Sequence, residues 1–124
     1  MMIRSFIYSD RDEMKRWLSL HELPENLADQ VPALGWIVEG IAAGFVRKME
    51  NCRVGMVDGF ITNPRASAEK RNEALDLLTS TMVKESKEAG FESLLFKSVE
   101  VNILKRALKH GFQALTHVMM NRNL

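Results

Sequence analysis

The chain has 124 residues, of which 46% are hydrophobic and 27% are charged. This length and apolar content fit one compact domain, and we predict that residues 1–124 fold as a single unit. The formal net charge of +1, from 17 Lys and Arg against 16 Asp and Glu, argues against general nucleic-acid binding. No apolar run approaches the roughly 20 residues of a membrane span, so we expect no membrane insertion.

The single cysteine and the N-terminal residues suggest a compartment. Cys52 has no second cysteine with which to form an internal disulfide. The N-terminal segment, residues 1–5, lacks the apolar region of a signal peptide. The sequence therefore predicts an intracellular, cytoplasmic protein.

The first third of the chain predicts one strand and two helices. Residues 2–8 alternate between apolar and polar side chains, which favours a first strand. Ser9 and Asp12 form a capping-box pattern that opens the first helix. The predicted apolar face of that helix consists of Met14, Trp17 and Leu18. Residues 24–31 predict a short second helix or helical turn.

Three further strands are predicted in the middle of the chain. Residues 35–46 form two apolar runs joined at Glu39-Gly40, which is typical of a tight hairpin. Residues 54–62 predict a fourth strand. Its two interior glycines, Gly55 and Gly59, indicate a bulge or the close approach of another backbone or ligand.

The longest predicted helix follows, at residues 67–89, and Gly90 ends it. Its predicted buried stripe consists of Arg71, Leu75, Leu78, Met82 and Ala89. Residues 92–99 contain a continuous apolar run and predict a buried strand parallel to the fourth. A last helix ends at Gly111, and residues 112–121 predict a final strand.

These elements define the expected fold class and core. The order β-α-α-β-β-β-α-β-α-β predicts an α/β (α+β) fold, with a mixed central sheet and helices on both faces. The core that this arrangement predicts consists of Leu75, Leu78, Met82, Leu94, Phe96, Leu104 and Phe112.

Three local patterns resemble the GCN5-related N-acetyltransferase (GNAT) superfamily. Residues 38–45 are similar to the hairpin from the family's second strand into its third. Residues 62–64, Thr-Asn-Pro, followed by a long helix, are similar to its fourth strand and third helix. Residues 102–112, ending in Lys-His-Gly-Phe, are similar to its fourth helix and the Gly-Phe that follows. The resemblance covers nearly the whole chain, and in its compact, glycine-poor style the chain is similar to bacteriophage members.

The resemblance implies transfer of an acetyl group from acetyl-CoA to an amine of a small molecule or a protein. By position in the family pattern, the implied cofactor-binding residues are Lys70, Arg71, Asn72, Glu73, Ala74 and Asn102. The family signature of Gln or Arg, Gly, and Gly or Ala falls on Glu69, Asn72 and Ala74, of which Ala74 alone fits. We therefore expect acetyl-CoA binding to be weak, and a non-catalytic binding or structural module is the alternative function.

Asp58 is the best-placed candidate for a catalytic base, because it lies on the fourth strand between two glycines. The alternative is that Asp58 is a solvated or hydrogen-bonded structural residue. The resemblance also implies that two helices border the CoA groove, where their cations would suit its phosphates. Those cations are Lys70, Arg71, Lys105, Arg106, Lys109 and His110, and the alternative is that they are solvated helix faces.

Two departures from the family pattern affect the expected chemistry. The family often uses a tyrosine on its fourth helix to protonate the departing thiolate. Ala107 stands at that position, and the single tyrosine, Tyr8, lies in the predicted first strand. The chain ends at Leu124, which implies a shortened or missing last hairpin. His21, His110 and His117 do not have the spacing of a metal site.

Overall fold

The computed structural model describes residues 1–98, 100–114 and 122. The sheet has five strands in the order β1 Ile3–Ser5, β2 Leu34–Val38, β3 Ala42–Lys48, β4 Val54–Thr62 and β5 Ser93–Leu95. The helices are α1 Arg11–Leu20, α2 Ala68–Glu88 and α3 Val101–Lys109, with 3-10 helices at Tyr8–Asp10 and Glu25–Gln30. Pairing is antiparallel from β1 to β4, and β5 is parallel to β4, which confirms the predicted mixed sheet.

The core lies in two layers, one on each face of the sheet. On one face, α1 and the second 3-10 helix pack against strands β2 to β4, and the buried residues are Met14, Trp17, Leu18, Ala28, Ile37, Ala43, Phe45 and Ile61. On the other face α2 packs against the same strands, and the buried residues are Trp36, Val38, Ala42, Val46, Val57, Ala74, Leu78 and Met82. This arrangement confirms that helices cover both faces and that the predicted face of α1 is buried.

Local signals at both ends fix the position of α2. The Ser67 side chain accepts a hydrogen bond from the Lys70 backbone N–H at 3.2 Å, which satisfies one of the unpaired donors of the first turn. At the other end Gly90 has φ +96°, a conformation that glycine adopts without a steric penalty. The Phe91 N–H then donates back to the Ser86 carbonyl at 3.0 Å and closes the helix.

A β-bulge interrupts the pairing of β3 with β4. Phe45 pairs with Gly59 and Val46 pairs with Val57, so Asp58 is an extra residue without a partner in the ladder. Val57 consequently lies in the α2 core layer and Ile61 in the α1 layer. The bulge therefore shifts the alternation of the strand and turns Asp58 outward, at the place where the glycine pattern predicted an irregularity.

Three elements are shorter than, or start differently from, the prediction. β1 covers Ile3–Ser5 and β5 covers Ser93–Leu95, whereas residues 2–8 and 92–99 were expected. The Ser9 capping box is wrong: α1 begins after Asp10, whose carboxylate accepts from the Ile7 N–H at 2.8 Å. The same carboxylate receives two hydrogen bonds from Arg4, at 2.7 and 2.8 Å, and these hold β1 against the start of α1.

Some of the predicted core residues are placed differently. Leu104 is 40% exposed, so its assignment to the core is wrong, because α3 turns this side chain away from the sheet. Ala89 is exposed and Ser86 is buried, so the stripe of α2 follows the spacing 74, 78, 82 and 86. The remaining predicted core residues are buried or partly buried in the α2 layer. Most of the predicted final strand, including His117, lies outside the described residues.

Candidate functional site

Strands β4 and β5 separate after a short common stretch. They pair at Val54–Ser93, Gly55–Leu94 and Met56–Leu95. Beyond this point β4 continues to Thr62, and the described residues after β5 do not pair with it. The backbone groups along this side of the second half of β4 are therefore not used by β5.

A groove of about 290 Å³ opens where the two strands separate. It is bounded by the second half of β4, the middle of α2, and α3. The lining residues are His21, Leu23, Val57, Phe60, Ile61, Thr62, Leu75, Thr79, Met82, Phe96, Ile103, Arg106, Ala107 and Phe112. We call this the first groove, and its apolar lining suits the flexible, largely apolar arm of a ligand.

A second groove, of about 410 Å³, lies on the α1 face of the sheet. Its lining residues are Met14, Leu18, Leu23, Leu27, Gln30, Val31, Phe45, Arg47, Asp58, Gly59, Phe60 and Ile61. Leu23, Phe60 and Ile61 line both grooves. The two grooves therefore lie next to each other beside the second half of β4.

Asp58, the predicted catalytic base, lies in the second groove because of the bulge. Its Oδ2 accepts a hydrogen bond from Arg47 Nη2 at 3.2 Å, and the same nitrogen donates to the Gln30 carbonyl at 3.2 Å. Arg47 was not singled out by the sequence, since its position on the neighbouring strand depends on the register across the bulge.

His21 is a second side chain at the site that the sequence did not assign to it. It follows the last residue of α1 and lines the first groove. Its Nε2 lies 2.8 Å from the Thr62 carbonyl oxygen, so Nε2 must carry the hydrogen. This contact ties the end of α1 to the end of β4, a pairing between residues too distant in sequence to be read from a local pattern.

The loop between β4 and α2 is held by Asn63. Its Nδ2 donates to the Gly40 carbonyl at 2.9 Å, and its Oδ1 accepts from the Arg65 N–H at 3.0 Å. The helix then begins at Ala68, and the N–H of Arg71 already donates to the Ser67 carbonyl at 2.9 Å. The backbone donors free of helical bonds are thus those of the first turn, upstream of residues 71–74.

The predicted cofactor-binding side chains are dispersed. Ala74 is 0% exposed and belongs to the core, and Arg71 is half-buried. The exposed members of the set are Lys70, Asn72, Glu73 and Asn102. None of the six lines the first groove within the described residues. Their role at a cofactor therefore stays a prediction.

Half of the predicted cation cluster converges, and it does so on a carboxylate. Asp76 of α2 is the common partner, and its contacts are Arg106 Nη1 at 2.8 Å, Lys109 Nζ at 3.1 Å and His110 Nε2 at 3.0 Å. Partial burial alone would raise the pKa of Asp76, but the hydrogen bonds from these three basic side chains outweigh it and hold the pKa at about 2.

This network attaches α3 to α2 and so shapes the first groove. Arg106 also donates to Asn72, through Nη2 to Oδ1 at 3.0 Å and through Nη1 to the carbonyl at 3.2 Å. Since α3 has no fully buried residue among those described, these contacts contribute strongly to its position. Lys70, Arg71 and Lys105 form no ion pair within the described part of the chain.

Ala107 lines the first groove, where the family pattern would place a tyrosine. Tyr8 is 79% exposed and lines neither groove. The Arg11 guanidinium lies 4.4 Å from the centre of its ring.

Comparisons with known proteins bear on the fold. No protein-family model matches the sequence, and no curated protein is significantly similar to it. Among solved structures, TTHA1254 from Thermus thermophilus is 17% identical with a TM-score of 0.72, over 100% of this chain and 98% of that one. The ribosomal-protein-S18-alanine N-acetyltransferase from Escherichia coli is 13% identical with a TM-score of 0.71, over 93% and 79%.

A third similar structure was solved with a cofactor. The aminoglycoside N-acetyltransferase AAC(6')-Iy in complex with CoA is 11% identical with a TM-score of 0.67, over 99% of both chains. At these identities the likeness concerns the fold. The chain therefore has the GNAT acetyltransferase fold, as the sequence predicted. No helix among the described residues is both long and apolar enough to cross a membrane.

Proposed function

We propose that this protein is an acyl-CoA-dependent N-acyltransferase, with acetyl-CoA as the donor and a primary amine as the acceptor. One observation carries the proposal: the first groove opens where β4 leaves β5, and it shares the lining residues Phe60 and Ile61 with the second groove. A two-substrate transfer needs two sites that meet at the reacting atoms.

The first groove suits the pantetheine arm of CoA. That arm carries two amide groups, which can form strand-like hydrogen bonds with a free strand edge. The second half of β4 has an edge that no strand among the described residues occupies, and the groove beside it is apolar. The thioester would then lie near the residues shared by both grooves.

Asp58 would bind the acceptor on the other side. The ammonium form of an amine cannot attack, so a carboxylate at the second groove would both hold the amine and accept its proton. The free amine nitrogen then bonds to the thioester carbon, and the carbon–sulfur bond breaks to release the CoA thiolate. A second proton leaves the nitrogen to solvent, and the thiolate takes a proton from water.

Phosphate binding is the weak part of this arrangement. The first turn of α2 offers free N–H groups, and Arg65, Lys70 and Arg71 add positive charge nearby. The carboxylates of Glu69 and Glu73 would repel the phosphates of CoA, because like charges a few ångströms apart repel even at an effective dielectric of about 20. We expect an affinity for acetyl-CoA below that usual for the fold.

The test combines binding with turnover. Titration calorimetry with acetyl-CoA measures affinity, and thiol release measures transfer to a panel of amino acids, aliphatic amines and aminoglycosides. Ile103→Trp would fill the first groove and abolish both signals. Leu104→Trp, next to it on α3 but exposed and outside the groove lining, is the matched control and should retain them.

The alternative function is a non-catalytic binding or structural module. It is favoured by the residues at 63–74, which contain no glycine, so that side chains stand where a pyrophosphate would approach the backbone. Absence of binding at millimolar acetyl-CoA would support the module. Binding and thiol release that Ile103→Trp removes would exclude it.

A further inference from the structure

We infer that the second groove takes a free α-amino acid with an apolar side chain, its amine on Asp58 and its carboxylate on Arg47. The inference rests on the proposed function, in which the second groove is the site of the acceptor. Its binding component can be measured without any transfer.

The first argument is the incomplete pairing of the two charged groups. Arg47 uses Nη2 alone for its contacts with Asp58 Oδ2 and the Gln30 carbonyl, both at 3.2 Å. Its Nε and Nη1 donors have no partner within the described residues, and neither has Asp58 Oδ1. The side chains are 52% and 38% exposed. The groove thus offers unpaired guanidinium N–H donors and one carboxylate oxygen close to each other.

The second argument concerns the charge of the ligand. Asp58 is already neutralised by Arg47, so the ammonium group of a simple amine on its free oxygen would add a positive charge beside this pair without a second carboxylate to balance it. A zwitterion supplies both partners at once: its ammonium group reaches the free oxygen of Asp58, and its carboxylate accepts a hydrogen bond from an unpaired N–H of Arg47. In this arrangement each charged group of the ligand, and each of the two side chains, has a neighbour of opposite charge.

The third argument is the composition of the rest of the groove. Apart from the ion pair and Gln30, the lining is apolar, and its side chains include Met14, Leu18, Val31 and Phe45. Its volume of about 410 Å³ lies within the roughly 300–1,000 Å³ of small-molecule sites. An apolar amino-acid side chain would be buried there.

The same composition disfavours polycations. Among the described lining residues Asp58 is the one acid and Arg47 the one base. A polyamine or an aminoglycoside carries several ammonium groups, and this groove would leave all but one of them without a carboxylate.

The experiment uses three matched ligands: L-leucine, L-leucinamide, which lacks the carboxylate charge, and 3-methylbutylamine, which lacks the carboxylate altogether. Each is titrated calorimetrically into the protein, with and without saturating CoA. Leucine should bind about 10- to 100-fold more tightly than either analogue, which is the effect of losing a charge-assisted hydrogen bond. Because this comparison varies the ligand, it does not depend on the folding of a variant.

Two variants then test whether Arg47 binds the carboxylate of leucine. Arg47→Gln should lower the affinity for leucine by the same about 10- to 100-fold and should not lower that for 3-methylbutylamine, which has no carboxylate for Arg47 to bind. Arg53→Gln is the control, since Arg53 is 75% exposed and pairs with Glu92 away from both grooves. Equal binding of leucine and leucinamide, or no binding of leucine in either condition, would overturn the inference.

The outcomes also separate this inference from the proposed function. Arg47-dependent leucine binding without thiol release would support the site and refute the transferase. Thiol release with 3-methylbutylamine or an aminoglycoside, but not with leucine, would support the transferase and refute the amino-acid site.

Discussion

Leu78 is the side chain on which the α2 core layer is centred. It is 0% exposed, and it packs between the helix and the sheet. Truncating it to alanine removes buried apolar atoms and leaves a cavity, so Leu78→Ala should lower the free energy of unfolding by about 2–5 kcal/mol. Urea denaturation measures this loss. Leu104→Ala, at a 40% exposed position, is the control and should change stability far less; equal losses would contradict the assigned orientation of α2.

Asp76 makes stability depend on acid pH. Its folded pKa of about 2 lies below the ordinary value of 3.8, so its ion pairs stabilise the fold above pH 3.8, and this contribution is lost as the pH falls through 2. Asp76→Asn should therefore be less stable than the wild type at neutral pH. The difference between the two should shrink as the pH is lowered.

Thermal denaturation at a series of pH values measures that difference. Asp12→Asn is the matched control, because Asp12 is exposed and forms no ion pair among the described residues. A constant difference in stability between the wild type and Asp76→Asn from neutral to acid pH would show that the ionised Asp76 carboxylate does not stabilise the fold through its ion pairs.

The Asp76→Asn variant should also weaken acetyl-CoA binding, because α3 forms one wall of the first groove.

At the scale of elements, Gly44 sets how closely α2 approaches the sheet. A Cβ at this position would lie 2.8 Å from the Phe60 ring and 3.2 Å from Met82 Cε. Gly44→Ala should therefore destabilise the fold by about 1–3 kcal/mol through overpacking. It should also displace Phe60, which lines both grooves.

A second substitution tests the cause of that loss. Phe60→Leu shortens the side chain that the new methyl group would meet, so Gly44→Ala with Phe60→Leu should be more stable than the sum of the two single effects predicts. Strict additivity in urea denaturation would exclude the contact with the ring as the cause.

The elements that the sequence predicted well are those with local signals. The bounds of α2 follow from Ser67 and Gly90, and the hairpin turn follows from Glu39-Gly40. The orientation of α3 was not predictable in the same way, because it depends on the contact of Arg106 with Asp76, 30 residues earlier. Leu104 was consequently assigned to the core although it faces outward.

At the scale of the whole molecule, the candidate site is a product of tertiary structure. The sequence singled out Asp58 because glycines flank it. Its partner Arg47 could not be predicted, because the two side chains come together only through the register of β3 and β4 at the bulge. The separation of β4 from β5 likewise needs the fold, since their pairing ends within a continuous apolar run. The fold class was therefore readable from the sequence, whereas the meeting of the two grooves was not.

The last prediction concerns the leaving group. Within the described residues, no phenol or thiol lines the first groove, and the Nε2 hydrogen of His21 is directed at the Thr62 carbonyl. If the protein acetylates amines, water must then protonate the CoA thiolate. Ala107→Tyr would place a phenol in the groove and should raise the rate of thiol release, up to the roughly 10²- to 10⁴-fold typical of a general acid.

Two controls accompany this variant. Ala107→Phe adds the same ring without the hydroxyl, so it separates the effect of an acid from that of a filled groove. Tyr8→Phe should leave turnover unchanged, because Tyr8 is 79% exposed and lines neither groove. If Tyr8→Phe instead abolishes turnover while acetyl-CoA affinity and thermal stability stay intact, Tyr8 reaches the sulfur. The 3-10 helix Tyr8–Asp10 would then lie against the cofactor during catalysis, and the protein would have a dedicated acid of its own.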